Sequence, residues 1–106
     1  MTHSTSTQGS WTLLTLHGKI DRPGADQLEI ALAPHLGGGR LALDMTDVVY
    51  VTSSGFRVLL SSYKTLHAVG GDIVIVGLNE AAHNFFHIAG LTQVFKFVPT
   101  LTDLPA

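Results

Sequence analysis

The sequence predicts a single α/β domain spanning residues 1–106, with a mixed, mostly parallel β-sheet and interleaved helices. Two observations support this class. Strand-like segments alternate with single helix-like segments over loops of a few residues, an order that gives parallel strand pairs with right-handed crossovers. The length of 106 residues also suits one hydrophobic core. The polar residues 1–9 are expected to form a flexible arm or a short edge strand.

The composition excludes several classes of protein. Only 13% of the residues are charged and the net charge is −2, so no basic surface for nucleic acid is expected. The longest apolar stretch, Ile73–Leu78, is far shorter than the ~20 residues of a membrane-spanning helix. There is no cysteine, and residues 1–10 lack the apolar centre of a signal peptide. We therefore expect a cytoplasmic domain that neither binds nucleic acid nor inserts into a membrane.

The first third of the chain predicts a strand followed by a helix. Apolar and polar residues alternate from Trp11 to Ile20. Pro23 then suits the first turn of a helix, where its missing N–H is not needed. A straight helix would be disrupted by Pro34, so it is expected to bend or end near Ala33. The predicted inward residues of this helix are Ala25, Leu28, Leu32 and Leu36.

The middle of the chain predicts two apolar runs and a long helix. The runs are Arg40–Asp44 and Val48–Val51. The helix has apolar residues at the i, i+3, i+4, i+7 spacing and ends at glycines 70 and 71. We expect Phe56, Leu59, Leu60, Tyr63 and Leu66 to face the core, and Arg57, Ser61, Ser62, Lys64 and Thr65 to line the outside.

The last third predicts a buried strand, a short helix and a final strand. Ile73–Val76 has no polar face, as in a strand covered on both sides. Asn79 is expected to cap a helix that closes at Gly90, and Val94–Val98 reads as the last strand. A helical turn is expected within residues 99–106. The predicted inward residues of the short helix are Ala82, Phe85, Phe86 and Ala89.

The most informative segment is the junction Thr52–Gly55, where a buried strand meets the start of the long helix. Free N–H groups and the positive end of the helix dipole favour negative charge there. A phosphate on Ser53 or Ser54 would add about −1.5 to −2 charge and could switch a docking face off. The same residues are also explained as ordinary N-cap residues, each worth roughly 0.5–2 kcal/mol.

Residues 44–60 read D-M-T-D-V-V-Y-V-T-S-S-G-F-R-V-L-L. This segment resembles the signature of the STAS domain, and in particular that of the anti-sigma factor antagonists, D-L-S-x-V-x-F-I-D-S-S-G-L-G-x-L-L. Asp44 falls on the aspartate that opens the signature. Gly18–Asp21 and Ile88–Leu91, followed by Val94 and Phe95, are similar to further family segments in the same order.

The resemblance implies a STAS fold and a protein that is not an enzyme and needs no cofactor. It implies binding to an anti-sigma factor, which frees a sigma factor for transcription. In this family the anti-sigma factor is also a serine kinase, and phosphorylation of the serine aligned with Ser53 separates the two proteins until a phosphatase resets them. The resemblance places Asp21, Thr52, Ser54, Gly55 and Arg57 on the partner-binding face.

Two departures from the family pattern leave alternatives open. Thr52 stands where the family has an aspartate, so Thr52 and Ser54 are lesser candidates for the phosphorylated residue. Arg57 stands where the family has glycine, and it could pair with a phosphate on Ser53 or alter the choice of partner. The alternative function is a STAS scaffold or transporter-associated subunit that binds its partner constitutively.

Enzymatic and metal-binding alternatives have weaker support in the sequence. His83 and His87 have a metal-ligand spacing, but Asn84 occupies the place of the glutamate in a zinc-protease motif and no third ligand is evident. Ser53 lacks the G-x-S-x-G context of a hydrolase nucleophile. A response-regulator receiver would require an adjacent acidic pair after the first strand, and this sequence has none there. We therefore expect no catalytic or metal site.

Overall fold

A computed structural model describes residues 1–105 as one five-stranded sheet and three α-helices. The strands lie in the order of the chain. They are β1 (Thr2–Gln8), β2 (Trp11–Ile20), β3 (Arg40–Val51), β4 (Asp72–Val76) and β5 (Lys96–Val98). The helices are α1 (Arg22–Leu32), α2 (Ser53–Ala68) and α3 (Glu80–Ile88), with 3₁₀ turns at Ala33–His35 and Leu101–Asp103.

The sheet is parallel except at its N-terminal edge. β1 pairs antiparallel with β2, and β2 to β5 pair parallel. The predicted mixed, mostly parallel sheet is therefore confirmed, and residues 2–8 form the edge strand rather than a free arm. Because each crossover steps in the same direction along the sheet, right-handed connections place all three helices on one face.

The predicted helix boundaries follow from local chemistry. Asp21 is the N-cap of α1, and its Oδ1 accepts a hydrogen bond of 2.9 Å from the N–H of Gly24. Pro23 lies in the first turn, as predicted, and α1 gives way to a 3₁₀ turn that contains Pro34. Asn79 caps α3 by accepting a 2.7 Å hydrogen bond from the N–H of Ala82.

β3 differs from its prediction because the two expected runs form one strand of 12 residues. Its first part pairs with β4 as far as Asp44, whereas its second part continues alone beside β2 to the pair Ile20–Val51. One register shift in the β2–β3 ladder, between the pairs Thr15–Asp44 and His17–Asp47, falls where the two predicted runs join. The carboxyl half of β3 thus projects beyond β4 and carries the chain to the start of α2.

The helix face of the sheet holds the main core, and three residues there depart from prediction. Ser62 was expected outside but is only 4% exposed, because it lies on the same buried line of α2 as Leu59 and Leu66. Phe85 and Ala89 were expected inside but are exposed. In the nine-residue α3, only Ala82 and Phe86 are buried, and they form an i, i+4 pair on one side of the helix.

The opposite face of the sheet carries a smaller cluster under the C-terminal segment. Its buried members are Trp11, Leu13, Ala42, Val74 and Val76, packed against Val98, Leu101 and Leu104. The indole N–H of Trp11 donates a 2.8 Å hydrogen bond to the carbonyl of Pro105. The 3₁₀ turn at Leu101–Asp103 bears out the helical turn expected after residue 99. No helix in residues 1–105 has the length and apolar character needed to cross a membrane.

Candidate functional site

The site lies where β2 and β3 end and where α1 and α2 begin. Ile20 and Val51 are paired at these strand ends. The carbonyl of Ile20 accepts two hydrogen bonds from Thr52, one of 2.9 Å from its N–H and one of 3.1 Å from its Oγ1. Thr52 is the N-cap residue of α2, but its side chain does not cap the helix. Its hydroxyl instead joins the end of β3 to the end of β2.

Gly55 lets α2 start directly against the strand ends. A Cβ at this position would lie 2.6 Å from Cγ2 of Ile20 and 2.7 Å from Cγ1 of Val51, distances that real Cβ atoms do not tolerate. Gly55 is buried, so it can shape a partner-binding face only by positioning the helix.

Asp21 occupies the neighbouring helix start. Its carboxylate caps α1, and it is half-buried. Gly24 permits the tight turn, because a Cβ there would lie 2.5 Å from the carbonyl of Lys19. The ends of β2 and β3 therefore present two helix N-termini side by side, one capped by Asp21 and one without a side-chain cap.

The remaining predicted residues lie in the first turns of α2. Ser53 and Arg57 are exposed, whereas Ser54 is half-buried. Residues 53–55 have no intrahelical acceptor for their N–H groups, because they precede the first i to i−4 hydrogen bond, which runs from Phe56 to the carbonyl of Thr52 at 3.0 Å. Ser53 and Arg57 are four residues apart and share one side of the helix. No acidic residue lies in the first turn.

Three residues beside this junction were missed in the sequence. Tyr50 is half-buried and pairs with Lys19 across the β2–β3 ladder, with the Lys19 Nζ 5.8 Å from the ring centroid. Val49 is 60% exposed although it belongs to an apolar run. Tyr50 and Lys19 each precede the last residue of their strand, which is visible in the sequence. Only the register of β2 against β3 shows that the two residues are neighbours.

Asp44 does not belong to this junction. It is paired with Val76 in the middle of the sheet. Its Oδ1 accepts hydrogen bonds from the N–H and Oγ1 of Thr46, at 3.0 and 2.6 Å, where β3 leaves β4. Asp44 thus shapes the strand that leads to the site.

The histidines of α3 make no cluster with other ligands. The His83 ring packs edge-on against Phe97, with centroids 5.2 Å apart. Within residues 1–105, no group of three or more histidines, aspartates or glutamates is placed to hold a metal ion.

Comparisons of this chain with a family model, with related sequences and with solved structures all point to the same family. A family model described as "Mlab, STAS domain" matches residues 3–101. BtrV of Bordetella bronchiseptica is 34% identical over 82 residues, which cover 76% of this chain and 71% of BtrV. The anti-sigma-B factor antagonist of Listeria monocytogenes is 30% identical over 81 residues, which cover 74% of this chain and 71% of that protein.

A solved structure of an anti-sigma factor antagonist from Mycobacterium paratuberculosis has a TM-score of 0.85 at 26% identity, covering 96% of this chain and 88% of that one. The fold and the strand-to-helix junction define a small α/β domain of the STAS class. The chain belongs to the STAS domain family, among the anti-sigma factor antagonists. Proteins of this family are non-enzymatic binding proteins. The family predicted from residues 44–60 is thereby confirmed.

Proposed function

We propose that this chain is a cytoplasmic anti-sigma factor antagonist, that its partner is an anti-sigma factor with serine kinase activity, and that phosphorylation of Ser53 switches binding off. A phosphatase resets the switch. The observation that carries this proposal is the exposure of Ser53 at an uncapped helix start, in a chain whose family acts by binding anti-sigma factors.

The geometry favours Ser53 over its two neighbours as the phosphorylated residue. A kinase must reach the hydroxyl oxygen and remove its proton. The Thr52 hydroxyl donates to the Ile20 carbonyl, and Ser54 is half-buried. Ser53 is the exposed member of the three.

A phosphate on Ser53 would change the docking face without unfolding the helix. The docking face is here defined as Asp21, Thr52, Ser53, Ser54 and Arg57. The free N–H groups at the start of α2 and the guanidinium of Arg57 both favour the added negative charge. On a chain with only 13% charged residues, an addition of about −1.5 to −2 is a large local change. A partner fitted to the neutral face therefore loses complementarity.

Phosphorylation is tested by incubating the chain with ATP and the kinase-like anti-sigma factor encoded nearest to its gene. Intact mass and fragment mass spectra count and locate the phosphates. We expect one phosphate on Ser53, lost in Ser53→Ala and retained in Thr52→Ala and Ser54→Ala. A kinase that binds the chain in the same assay but leaves it unmodified would overturn the switch.

A second candidate is a constitutive scaffold or transporter-associated subunit that uses the same face. It is favoured by Thr52 at the N-cap of α2, where the family pattern has an aspartate. For this candidate, partner binding persists in the presence of ATP, and Ser53 stays unmodified.

A further inference from the structure

We propose that the free edge of β1 pairs with β1 of a second copy of this chain, which joins two five-stranded sheets into one across a two-fold axis. β1 is an outermost strand of the sheet, and β2 separates it from β3, which leads to Ser53. Such a dimer forms whether or not Ser53 is phosphorylated by a kinase.

The backbone of β1 is regular along its whole length. All seven residues pair in unbroken register with β2, from Thr2 opposite His17 to Gln8 opposite Trp11. The two strands are joined through Gly9, whose φ of +60° suits the first central position of a type II′ turn. In an antiparallel strand, alternate residues direct their N–H and C=O away from the paired neighbour. Because no other strand within residues 1–105 pairs with β1, its outer edge presents a straight row of such groups.

The two edge strands of the sheet, β1 and β5, differ in length and in residue types. Natural sheets protect exposed edges by short strands, lysines, prolines or bulges. β5 has only three residues, starts at Lys96 and is followed by Pro99. β1 has seven residues without lysine, proline or bulge. Only β5 therefore carries devices that discourage further pairing.

A second copy suits this edge because β1 is complementary to itself when two copies pair antiparallel. Antiparallel pairing centred on Thr5 places Ser4 of each copy opposite Ser6 of the other. β1 contains no Asp, Glu, Lys or Arg, so no like charges meet. Opposed Ser and Thr side chains form favourable cross-strand pairs. All seven residues are exposed in the isolated chain.

This geometry predicts a closed but weak dimer. The interface is isologous, since the same strand serves both copies, and the protected β5 edge prevents growth into a filament. One seven-residue strand edge buries less than the ~1,600 Å² of a standard stable interface. The dimer should therefore form at high concentration and dissociate on dilution.

The test is sedimentation velocity of the full chain over a concentration series, on the wild type and two double variants. In Ser4→Lys with Ser6→Lys, the predicted register puts lysines opposite lysines, and the chain should be monomeric throughout. In Ser4→Lys with Ser6→Glu, each Lys faces a Glu of the other copy. The dissociation constant should fall about three- to tenfold below that of the wild type.

The matched control is Ser61→Lys with Thr65→Lys, which adds the same charge on the exposed side of α2. It should dimerise as the wild type does. Far-UV circular dichroism and urea midpoints verify that each variant is folded. A wild type that stays monomeric at the highest soluble concentration would overturn the proposal. So would a dimer that the two lysines in β1 leave unchanged, because its interface would lie elsewhere.

Discussion

At the scale of single residues, the candidate site depends on the carbonyl of Ile20. It accepts both hydrogen bonds from Thr52, and it lies 3.1 Å from the position that a Cβ on Gly55 would occupy. This oxygen ties the end of β3 to the end of β2, and the side chains of Ile20 and Val51 limit how closely α2 approaches. Ser53 is the first residue of α2 and is exposed, whereas Thr52 before it and Gly55 two residues after it pack against the strand ends.

Gly55→Ala tests this close approach. The added methyl group must displace the buried Ile20 and Val51 side chains, and such overpacking costs about 1–3 kcal/mol. The better helix propensity of alanine, worth up to about 1 kcal/mol, offsets only part of that cost. Urea denaturation should show a net loss of stability. Gly37→Ala is the control, because within residues 1–105 no atom beyond its two chain neighbours lies within 4 Å of the added Cβ. Equal midpoints for the two variants would contradict the packing argument.

Ser53→Asp tests the switch without a kinase. A carboxylate near the start of α2 is favoured by the helix dipole, so the unfolding midpoint should be unchanged or slightly raised. Affinity for the anti-sigma factor, measured by calorimetry, should fall about tenfold or more, equivalent to roughly 1.4 kcal/mol. Ser61→Asp puts the same charge two turns further along α2 and should bind normally. Equal affinities for the two variants would argue against Ser53 as the control point.

At the scale of elements, α3 shows how a short helix selects its buried side. Phe86 is fully buried and makes edge-on ring contacts with Phe56, Phe95 and Phe97, at centroid distances of 4.9, 5.9 and 5.5 Å. Its neighbour Phe85 is 41% exposed. The sequence offers both phenylalanines at acceptable helical positions. The aromatic residues of α2, of β5 and of the turn before β5 determine which one is enclosed.

Phe85 and Phe86 form a matched pair for a stability measurement. Phe86→Ala should cost about 3–5 kcal/mol, since it removes a fully buried ring and leaves a cavity. Phe85→Ala should cost well under half of that, because much of its ring already contacts water. Chemical denaturation of the two variants under identical conditions compares them. Similar losses would mean that α3 packs in another rotation.

At the scale of the whole molecule, the sheet needs a cover on each face. The three helices cover one face, and the C-terminal segment covers Trp11 and Leu13 on the other. Arg40 and Trp11 both donate hydrogen bonds to the carbonyl of Pro105, which fixes the end of that segment. The short C-terminal segment thus completes the second layer of the core.

Ending the chain at Pro99 tests this cover. Leu101 and Leu104 would be removed from Trp11, which is the only tryptophan and is 2% exposed. We expect a red shift of the tryptophan emission and a loss of about 2–4 kcal/mol in the free energy of unfolding. Thr102→Ala, at an exposed position of the same segment, should change neither quantity. An unshifted emission in the shortened chain would show that the cover does not protect Trp11.

The sequence alone predicts the alternation of strands and helices, a first helix with Pro23 in its first turn and a bend or end near Ala33, and the family signature in residues 44–60. Each of these depends on neighbours along the chain, through hydrogen-bonded caps, proline geometry and side-chain periodicity. The resemblance of that signature to the STAS family then singles out Ser53 as the candidate switch.

Three features became apparent only in the folded chain: β3 is one strand, Ser62 is buried, and the Thr52 hydroxyl binds the Ile20 carbonyl instead of capping α2. Residue 20 is 32 positions from residue 52, and no local pattern records which carbonyl a hydroxyl will meet. Burial likewise depends on which elements pack together, because the neighbouring elements determine which side of a helix is enclosed.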